Sequence, residues 1–566
     1  MTTEQQKAST RIGKRPAAEI LTLKKMGTSF SSRLSFMRNL IRKIHTQKWK
    51  LERREFNINS DGFGHAVYTA HTGERSYSLV AFTHDLPPEK RTDRVIAEAW
   101  DATFNLFDGI PSREDIERLS QNTPKQEAGR FSQKELVLGR ANKSLRMFAT
   151  MLECLKAGQQ PNIDDVAAVG YLMRTTAVYG SGKFGCADRS ATDGRAEIQA
   201  SFHAEMLAVY LFRSFTIDLI DHIAKTQAPD TAIKLDDTIK RFLGIGNSTG
   251  LGMAPFLLKH SKLMHQWVNL KEEALCRCRN QSVDPLTAKS KLKALMPVVL
   301  KHLDQWNVED QTQTADIQEL RGDINTFDHW LNGNDTASNQ YWNDAYIFTA
   351  NNLSVEALSF VESLIIECNG DLVDELADQM FEEQGKDFDP TMPLSQIQKF
   401  LQTHYAWVDD INFAKESNNA MFWYYSEEKL EPRFGSRTDV PGAELEMPLA
   451  IARDVVALKA AIKDLNKDIT IADFLIEHGE FRHVVRRIQT IANYPYGEVY
   501  DNLISDDTRP IDLLRFKLAF FGANKFDPKS SLWTRINMYQ GAPLLDEILD
   551  VNPDSWAYPV KPEVRS

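Results

Sequence analysis

The spacing of the apolar residues changes once along this 566-residue chain, and that change constrains the fold more than any other feature. Between residues 50 and 108 apolar and polar residues alternate, as they do in half-buried strands. From about residue 112 onward the apolar spacing is helical almost throughout. The sequence therefore predicts a mainly α protein of the α+β class, with a small N-terminal antiparallel sheet followed by a large multi-helix body.

Three strands are predicted at 53–59, 65–70 and 76–83, and the turn 71–75 joins the last two as a hairpin. The stretch 94–107 has mixed periodicity, and we favour a fourth strand over a helix. No alternation of strands and helices follows, so a Rossmann unit is not expected. Helices are predicted at residues 112–120, 133–157, 163–177, 197–225, 251–280, 286–304, 313–330, 354–380, 394–403, 448–465, 471–476 and 480–493.

The polar run 332–339 is the best internal boundary, and the segment 423–446 is predicted to be irregular because it contains two prolines and two glycines. The predicted divisions are a basic N-terminal arm with an amphipathic helix (1–49), a small antiparallel β region (50–110), a central helical domain (111–335) and a C-terminal helical region (336–566).

Cysteine usage and hydropathy favour a cytoplasmic protein. The five cysteines are scattered, and only Cys276 and Cys278 lie close together, which predicts neither a disulfide framework nor a zinc site. No run of about 18 apolar residues exists, so no transmembrane segment is expected. The residues after Met1 lack the apolar core of a secretory signal.

The net charge of −11 conceals a basic arm. Residues 1–54 contain 14 Lys/Arg and 3 Asp/Glu, whereas the rest contain 53 Lys/Arg and 75 Asp/Glu. Apolar residues at helical spacing between 30 and 44 alternate with arginines, which predicts a basic amphipathic helix. We favour docking of this helix on the acidic body, its own or a second subunit's, over a membrane or an organelle address. Nucleic-acid binding is not expected because the remaining surface is acidic.

The first glycine-rich segment is 179–185 ("YGSGKFG"). It is not a Walker A loop, because Ala177 stands where glycine is needed and Phe184 follows Lys183. Three glycines around a lysine nevertheless predict an anion-binding loop, the alternative being a connection with an exposed lysine. Its Gly-Ser-Gly-Lys-Phe core resembles the phosphate-binding loop of 6-phosphogluconate dehydrogenases, but five residues without the nucleotide-binding domain imply no shared function. The predicted ligand-binding residues are Arg174, Gly180, Ser181, Gly182, Lys183 and Arg189.

The second segment, 244–252, has four glycines and precedes a strongly helical stretch. Its Asn-Ser-Thr triplet is typical of helix N-caps, so the segment is predicted to form the start of a helix that holds phosphate or carboxylate. The alternative is close helix packing. The ligand-binding residues predicted here are Gly246, Asn247, Ser248, Thr249 and Gly250.

Proton transfer is predicted for Tyr179, His203 or Asp218, of which the last two belong to the helix between the segments. Such residues also occur as helix-end polar groups or as core pairs. A di-metal site is not expected, because the Glu-x-x-His motif occurs only once, at Glu480 and His483. No cofactor is identified.

The sequence as a whole predicts a cytoplasmic, homo-oligomeric enzyme that acts on a small anionic metabolite, whether phosphorylated, carboxylated or linked to coenzyme A. Segments 179–185 and 244–252 would bind the metabolite. The reaction class stays open between lyase, isomerase and oxidoreductase. The alternative function is a non-catalytic scaffold or regulatory protein whose basic arm binds a partner.

Overall fold

The chain forms a mixed α+β fold, in which a sheet built largely from the N-terminal half precedes a helical body, as predicted. No helix within the described ranges is both long and apolar enough to cross a membrane. The computed structural model describes residues 11–21, 25, 32–90, 99–125, 132–175, 192, 194–200, 202–250, 261–333, 338–379, 388–410, 412, 422–426, 431–435, 445–447, 452–466, 468–497, 515–523, 525–530 and 533–563.

The strands are β1 Lys50–Ile58, β2 Gly64–His71, β3 Ser76–Thr83, β4 Ala102–Asp108, β5 Glu135–Lys143, β6 Tyr171–Thr175, β7 Gly244–Gly250, β8 Phe422–Ser426, β9 Glu431–Gly435, β10 Leu445–Met447, β11 Asp527–Ser530 and β12 Trp533–Met538. Nine of the described strands form one sheet in the order β1-β2-β3-β4-β5-β6-β7-β12-β11. The sheet is therefore larger than the predicted region 50–110, because it recruits strands from the middle and the end of the chain.

The α-helices are α1 Ala17–Ile20, α2 Phe36–Thr46, α3 Arg113–Asn122, α4 Phe148–Lys156, α5 Ile163–Val169, α6 His203–Gln227, α7 Asp237–Phe242, α8 Ser261–Asn280, α9 Pro285–Gln305, α10 Gln311–Gly333, α11 Tyr341–Asn352, α12 Val355–Glu367, α13 Gly370–Val373, α14 Ser395–His404, α15 Ala452–Ile462, α16 Ile471–Glu477, α17 Arg482–Asn493 and α18 Phe516–Phe521. Most of the predicted helices beyond residue 197 lie at these positions, with ends shifted by a few residues.

The predicted strands and hairpin are confirmed in β1 to β3. The turn closes with a hydrogen bond from the Thr72 amide to the Arg75 carbonyl (2.9 Å), and Gly73 takes a φ of +99° that glycine readily adopts. The predicted fourth strand is present as β4, although residues 91–98 lie outside the described part. All neighbouring pairs from β1 to β6 are antiparallel.

Two predicted helices were wrong, because the chain forms strands there. Within 133–157, β5 precedes α4, and Leu136, Val137 and Leu138 are all buried. A strand buried on both faces has a continuous apolar run, which periodicity cannot distinguish from a helix. Within 163–177, α5 ends at Gly170 (φ +79°), a left-handed helix cap, and β6 follows.

A β6–α6–β7 unit joins two parallel neighbouring strands, so the expectation that strands and helices would not alternate was wrong. Helix α6, predicted at 197–225, crosses one face of the sheet. There the ring of Phe212 stacks on that of Phe104 in β4, with centroids 4.2 Å apart. The unit escaped prediction because β7 is rich in glycine, has no aromatic residue and has only two β-branched residues, Ile245 and Thr249.

The C-terminal half supplies more strands than predicted. β12 pairs antiparallel with β7, and β11 pairs with β12. The segment 423–446, predicted to be irregular, contains most of the separate sheet β10-β8-β9. Its Pro432 lies in an outer strand, where a missing backbone N–H is tolerated.

Two large hydrophobic cores organise the described residues, and a third, small cluster lies where α3 packs on β2 to β4, with Val80 and Leu119 among its members. The larger runs from Ala17 to Tyr558 and includes Leu331 and Tyr341, so it is continuous across the predicted boundary at 332–339. The smaller core is formed by α14 to α17 with the turns between them, and it includes Leu401 and Phe474.

The basic arm docks on the protein's own acidic body, as charge complementarity predicted. The apolar side of α2 is fully buried, including Met37 and Ile41. On its polar side Arg38 forms ion pairs with Glu367 (2.6 Å) and Asp554 (2.7 Å). The neighbouring Arg33 and Arg42 also contact Asp554.

Candidate functional site

The two strands next to the glycine-rich segments end at the same end of the sheet. β6 leads into the segment that contains 179–185, and β7 contains the first seven residues of 244–252. The two strands are parallel neighbours, with Arg174 opposite Gly246. Their carboxyl ends therefore point to the same end of the sheet, where ligands bind in many open α/β sheets. We name this region the β6/β7 end.

Six of the predicted site residues lie outside the described part of the chain: Tyr179, Gly180, Ser181, Gly182, Lys183 and Arg189. The others are divided between the β6/β7 end and the body of α6. Arg174, Gly246, Asn247, Ser248, Thr249 and Gly250 lie on the two parallel strands, whereas His203 and Asp218 lie on α6.

The predicted helix start at 244–252 was wrong, because Gly244–Gly250 is strand β7 and helix α8 begins at Ser261. Asn247 does not cap a helix there. Its side-chain amide is buried and donates to the Thr175 carbonyl (3.0 Å), which ties β7 to the end of β6. The Asn-Ser-Thr triplet misled the prediction. The hydrogen bonds that a buried asparagine side chain needs can be formed in a strand as well as at a helix N-cap.

Gly246 is a glycine because two side chains of β6 lie against it. A Cβ atom at this position would be 2.7 Å from Cγ of Arg174 and 2.8 Å from the ring of Tyr171. Arg174 is only 1% exposed, so its guanidinium is buried. The glycine thus leaves room for the buried side chain of Arg174.

Three arginines share the sheet face that carries Arg174. Asn142 of β5 is opposite Arg174, and Arg140 is two residues away, so their side chains lie on the same face. On the other side Asn537 of β12 is opposite Gly246, and Arg535 is again two residues away. Neighbouring strands are about 4.8 Å apart, so β5 and β12 are separated by roughly 14 Å.

This face lies opposite α6. Gly139 and Phe104 are a cross-strand pair, and the Phe104 ring stacks on α6, so the next residue, Arg140, points the other way. The guanidinium of Arg140 lies over the Trp100 ring at 4.7 Å. The Nε atom of Arg535 is buried and has no hydrogen-bond partner among the described residues. Buried donors of this kind favour an anion.

His203 is the first residue of α6, the helix that lies between β6 and β7 in the chain. It is 2% exposed, and its Nδ1 atom has no hydrogen-bond partner in the described ranges. Burial and the charge of Lys43 lower the pKa of His203 to about 3, so its imidazole is neutral at pH 7. The preceding Phe202 has a φ of +62°, which residues other than glycine rarely adopt.

Asp218 lies away from His203. The two are separated by about 22 Å along the helix axis, at about 1.5 Å per residue. Asp218 accepts a hydrogen bond from the Tyr68 hydroxyl (2.6 Å) and pairs with Arg53 (3.1 Å), both on the first two strands. Burial and the Asp218 charge raise the pKa of Tyr68. Asp218 therefore links α6 to the outer strands of the sheet.

Sequence reasoning missed Arg140 and Arg535. Arg140 lies in a stretch that was predicted to be helical, and Arg535 is 361 positions after Arg174 in the sequence, so only strand pairing brings them to one face. Within the described ranges, no three His, Cys, Asp or Glu side chains are grouped so as to hold a metal ion. Compared with protein-family models, with curated proteins and with solved structures, the chain matches none of them.

Proposed function

We propose that the chain is a cytoplasmic enzyme that binds a small anionic metabolite at the β6/β7 end. The metabolite would carry a phosphate, a carboxylate or a coenzyme A group. The observation that supports the proposal is the parallel pairing of β6 and β7, because the carboxyl ends of these two strands lie at one end of the sheet. In this arrangement Lys183 and the backbone of 180–182 would hold the anion from one segment, and residues 248–252 from the other.

The charge distribution supports an anionic ligand. Arg140, Arg174 and Arg535 lie on one face beside these segments, and guanidinium groups bind carboxylate and phosphate with two parallel hydrogen bonds. Helix α6 begins at the same end, and its N-cap residue Phe202 contributes no side-chain hydrogen bond. The positive end of the helix dipole adds to the arginine charges.

Proton transfer is assigned to Tyr179 or His203, and Asp218 is left out because of its distance from His203. A histidine with a pKa of about 3 is a weak base on its own. A bound anion close to the imidazole would raise that pKa and so make His203 a more effective base. The proposal covers ligand class and site; it does not choose among lyase, isomerase and oxidoreductase chemistry.

A thermal-shift screen against phosphorylated and carboxylated metabolites, nucleotides and coenzyme A thioesters tests the proposal. A ligand at a hundred times its dissociation constant should stabilise the fold by about 2.7 kcal/mol. Lys183→Ala and Arg535→Gln should each weaken the shift. Arg113→Gln, at an exposed position on α3, is the matched control and should leave it unchanged.

The proposal fails if no compound in the screen shifts the melting point, or if a compound binds Lys183→Ala and Arg535→Gln as tightly as the wild type. Melting curves without ligand must accompany the screen. Lys183→Ala should keep the unliganded stability within about 1 kcal/mol if the lysine serves binding alone.

The alternative function, a scaffold whose basic arm recruits a partner, has less support. Four arginines of the arm already form ion pairs inside the chain, as Arg15 does with Glu272 (2.6 Å) and Glu362 (2.5 Å). A partner would have to displace such pairs. The predicted homo-oligomer is a separate proposal, and light scattering of the purified protein would test it.

A further inference from the structure

A cavity of about 370 Å³ lies at the edge of the sheet formed by β11 and β12. Its wall combines the C-terminal end of α9 with residues that flank these two strands, and α5 contributes one side. The volume falls within the range of small-molecule sites. The cavity shares no lining residue with the predicted site residues. The polar residues that matter here are Asp164, His302, Lys525 and Lys561.

Lys525 lines this cavity, and its side-chain amine is not paired with a described residue. Its Nζ atom makes no hydrogen bond or ion pair with any described residue. Asp527 and Glu309 already pair with Lys529, at 2.7 and 2.9 Å. Asp304 also lines the cavity, and within the described ranges it forms no ion pair with Lys525. Burial, together with the charges of Lys529 and Arg535, lowers the pKa of Lys525 and outweighs the opposing effects of Asp527 and Glu309.

Lys561 offers an internal comparison. It lines the same cavity, but its Nζ atom is held by Asp164 at 2.5 Å. An ion-paired ammonium keeps its proton and is a poor nucleophile, whereas a desolvated amine beside other cations is a good one. The two lysines of one cavity should therefore differ in reactivity.

His302 supplies a neutral acceptor on the cavity wall. Its Nδ1 atom lies 2.8 Å from the Pro559 carbonyl, which can only accept, so Nδ1 carries the proton and Nε2 does not. Burial lowers the pKa of His302, and the ring is neutral at pH 7. Such an acceptor can take the proton released when an amine adds to a carbonyl group.

We propose that Lys525 is a nucleophilic lysine that forms an imine with an aldehyde or ketone admitted to this cavity. The Nζ lone pair attacks the carbonyl carbon, and the carbonyl oxygen takes up a proton to give a carbinolamine. The nitrogen then loses both of its protons, the hydroxyl group takes up a second proton, the C–O bond breaks, and water leaves. The overall reaction of amine and carbonyl compound yields imine and water, with no oxidant or reductant. This site does not depend on the anion-binding proposal.

Reductive trapping tests the imine. The full-length protein is incubated at pH 7 with glycolaldehyde and sodium cyanoborohydride, and the modified lysines are mapped by peptide mass spectrometry. The early label should lie on Lys525 in preference to Lys561 and to the exposed Lys48. As the pH is lowered, labelling of Lys48 should fall before labelling of Lys525.

Two variants complete the test. Lys525→Arg should lose the preferential label while its melting curve stays close to that of the wild type, and Lys561→Arg should keep it. Labelling of Lys525 that is no faster than that of Lys48 in the wild type would overturn the proposal, even if Lys525→Arg does not fold. The trapping needs no anionic metabolite, so failure here and failure of the metabolite screen are distinguishable.

Discussion

At the scale of single residues, Arg213 is the most fully engaged buried cation among the described residues. It lies in the middle of α6, and its guanidinium donates only to backbone carbonyls. Burial lowers the pKa of Arg213 to about 10, which still leaves it charged at pH 7. The arginine joins the end of α7 to the chain after β12. Its acceptors are the carbonyls of Lys240, Arg241, Leu243, Ala542 and Pro543.

Arg213→Met should lower the free energy of unfolding by about 3–5 kcal/mol, because several buried carbonyls lose their only charged donor. Urea denaturation followed by circular dichroism measures the change. Arg54→Met, at an exposed position on β1, is the control and should cost less than about 0.5 kcal/mol. Equal effects of the two substitutions would show that Arg213 is not a structural link.

At the scale of elements, β7 is a strand whose composition is set by its neighbours. Its glycines allow β6 and β12 to approach on both sides: Gly244 lies against the backbone of Met538, and Gly246 against the side chains of Arg174 and Tyr171. Glycine is normally unfavourable inside a strand. Here it is required because a larger residue would separate the parallel pair that forms the β6/β7 end.

Gly246→Ala should destabilise the protein by about 1–3 kcal/mol, because the added methyl group would overpack the sheet against Arg174 and Tyr171. Gly322→Ala on α10 is the matched control. A Cβ atom there meets nothing within 4 Å, so alanine should stabilise the helix by about 0.5–1 kcal/mol. Thermal melts of both variants provide the comparison. An unchanged melting point for Gly246→Ala would contradict this account of β7.

The same elements show where sequence reasoning works and where it stops. Amphipathic helices such as α10 could be predicted, because one exposed face gives a clear 3.6-residue period. β5 could not, because a strand buried on both faces has no alternation. β7 could not either, since its glycines match a loop as well as they match a strand. The predicted helix start at 244–252 was wrong for this reason, since those residues form β7.

At the scale of the whole molecule, the two ends of the chain are joined by charge. Asp554 near the C-terminus accepts ion pairs from Arg33, Arg38 and Arg42 of the N-terminal arm. Burial alone would raise the pKa of Asp554, but the three arginines outweigh it and hold that pKa well below its usual range. A carboxylate with a depressed folded-state pKa stabilises the fold above its unfolded pKa and loses that effect as the pH falls.

Asp554→Asn should therefore destabilise the protein at pH 7 by about 3–5 kcal/mol, because it leaves buried arginines without their shared partner. The difference from the wild type should be constant above about pH 5 and should shrink as the pH falls below about 4, where the wild-type carboxylate begins to be protonated in the unfolded chain. Urea denaturation at a series of pH values measures both. A difference that stays the same down to pH 3 would show that charge does not join the two ends.

The sequence by itself determined the α+β class, the early hairpin, most helices of the body and the docking of a basic helix on an acidic surface. These features follow from the spacing of apolar residues and from the charge of each segment, and both can be read from short stretches of the sequence. Only the tertiary structure decided the parallel pairing of β6 with β7, the arginine face and the Lys525 cavity. β6 and β7 are about 70 residues apart, and the arginine face and the cavity combine segments that are hundreds of residues apart. No local sequence pattern shows which strands pair or which carboxylates already have a partner.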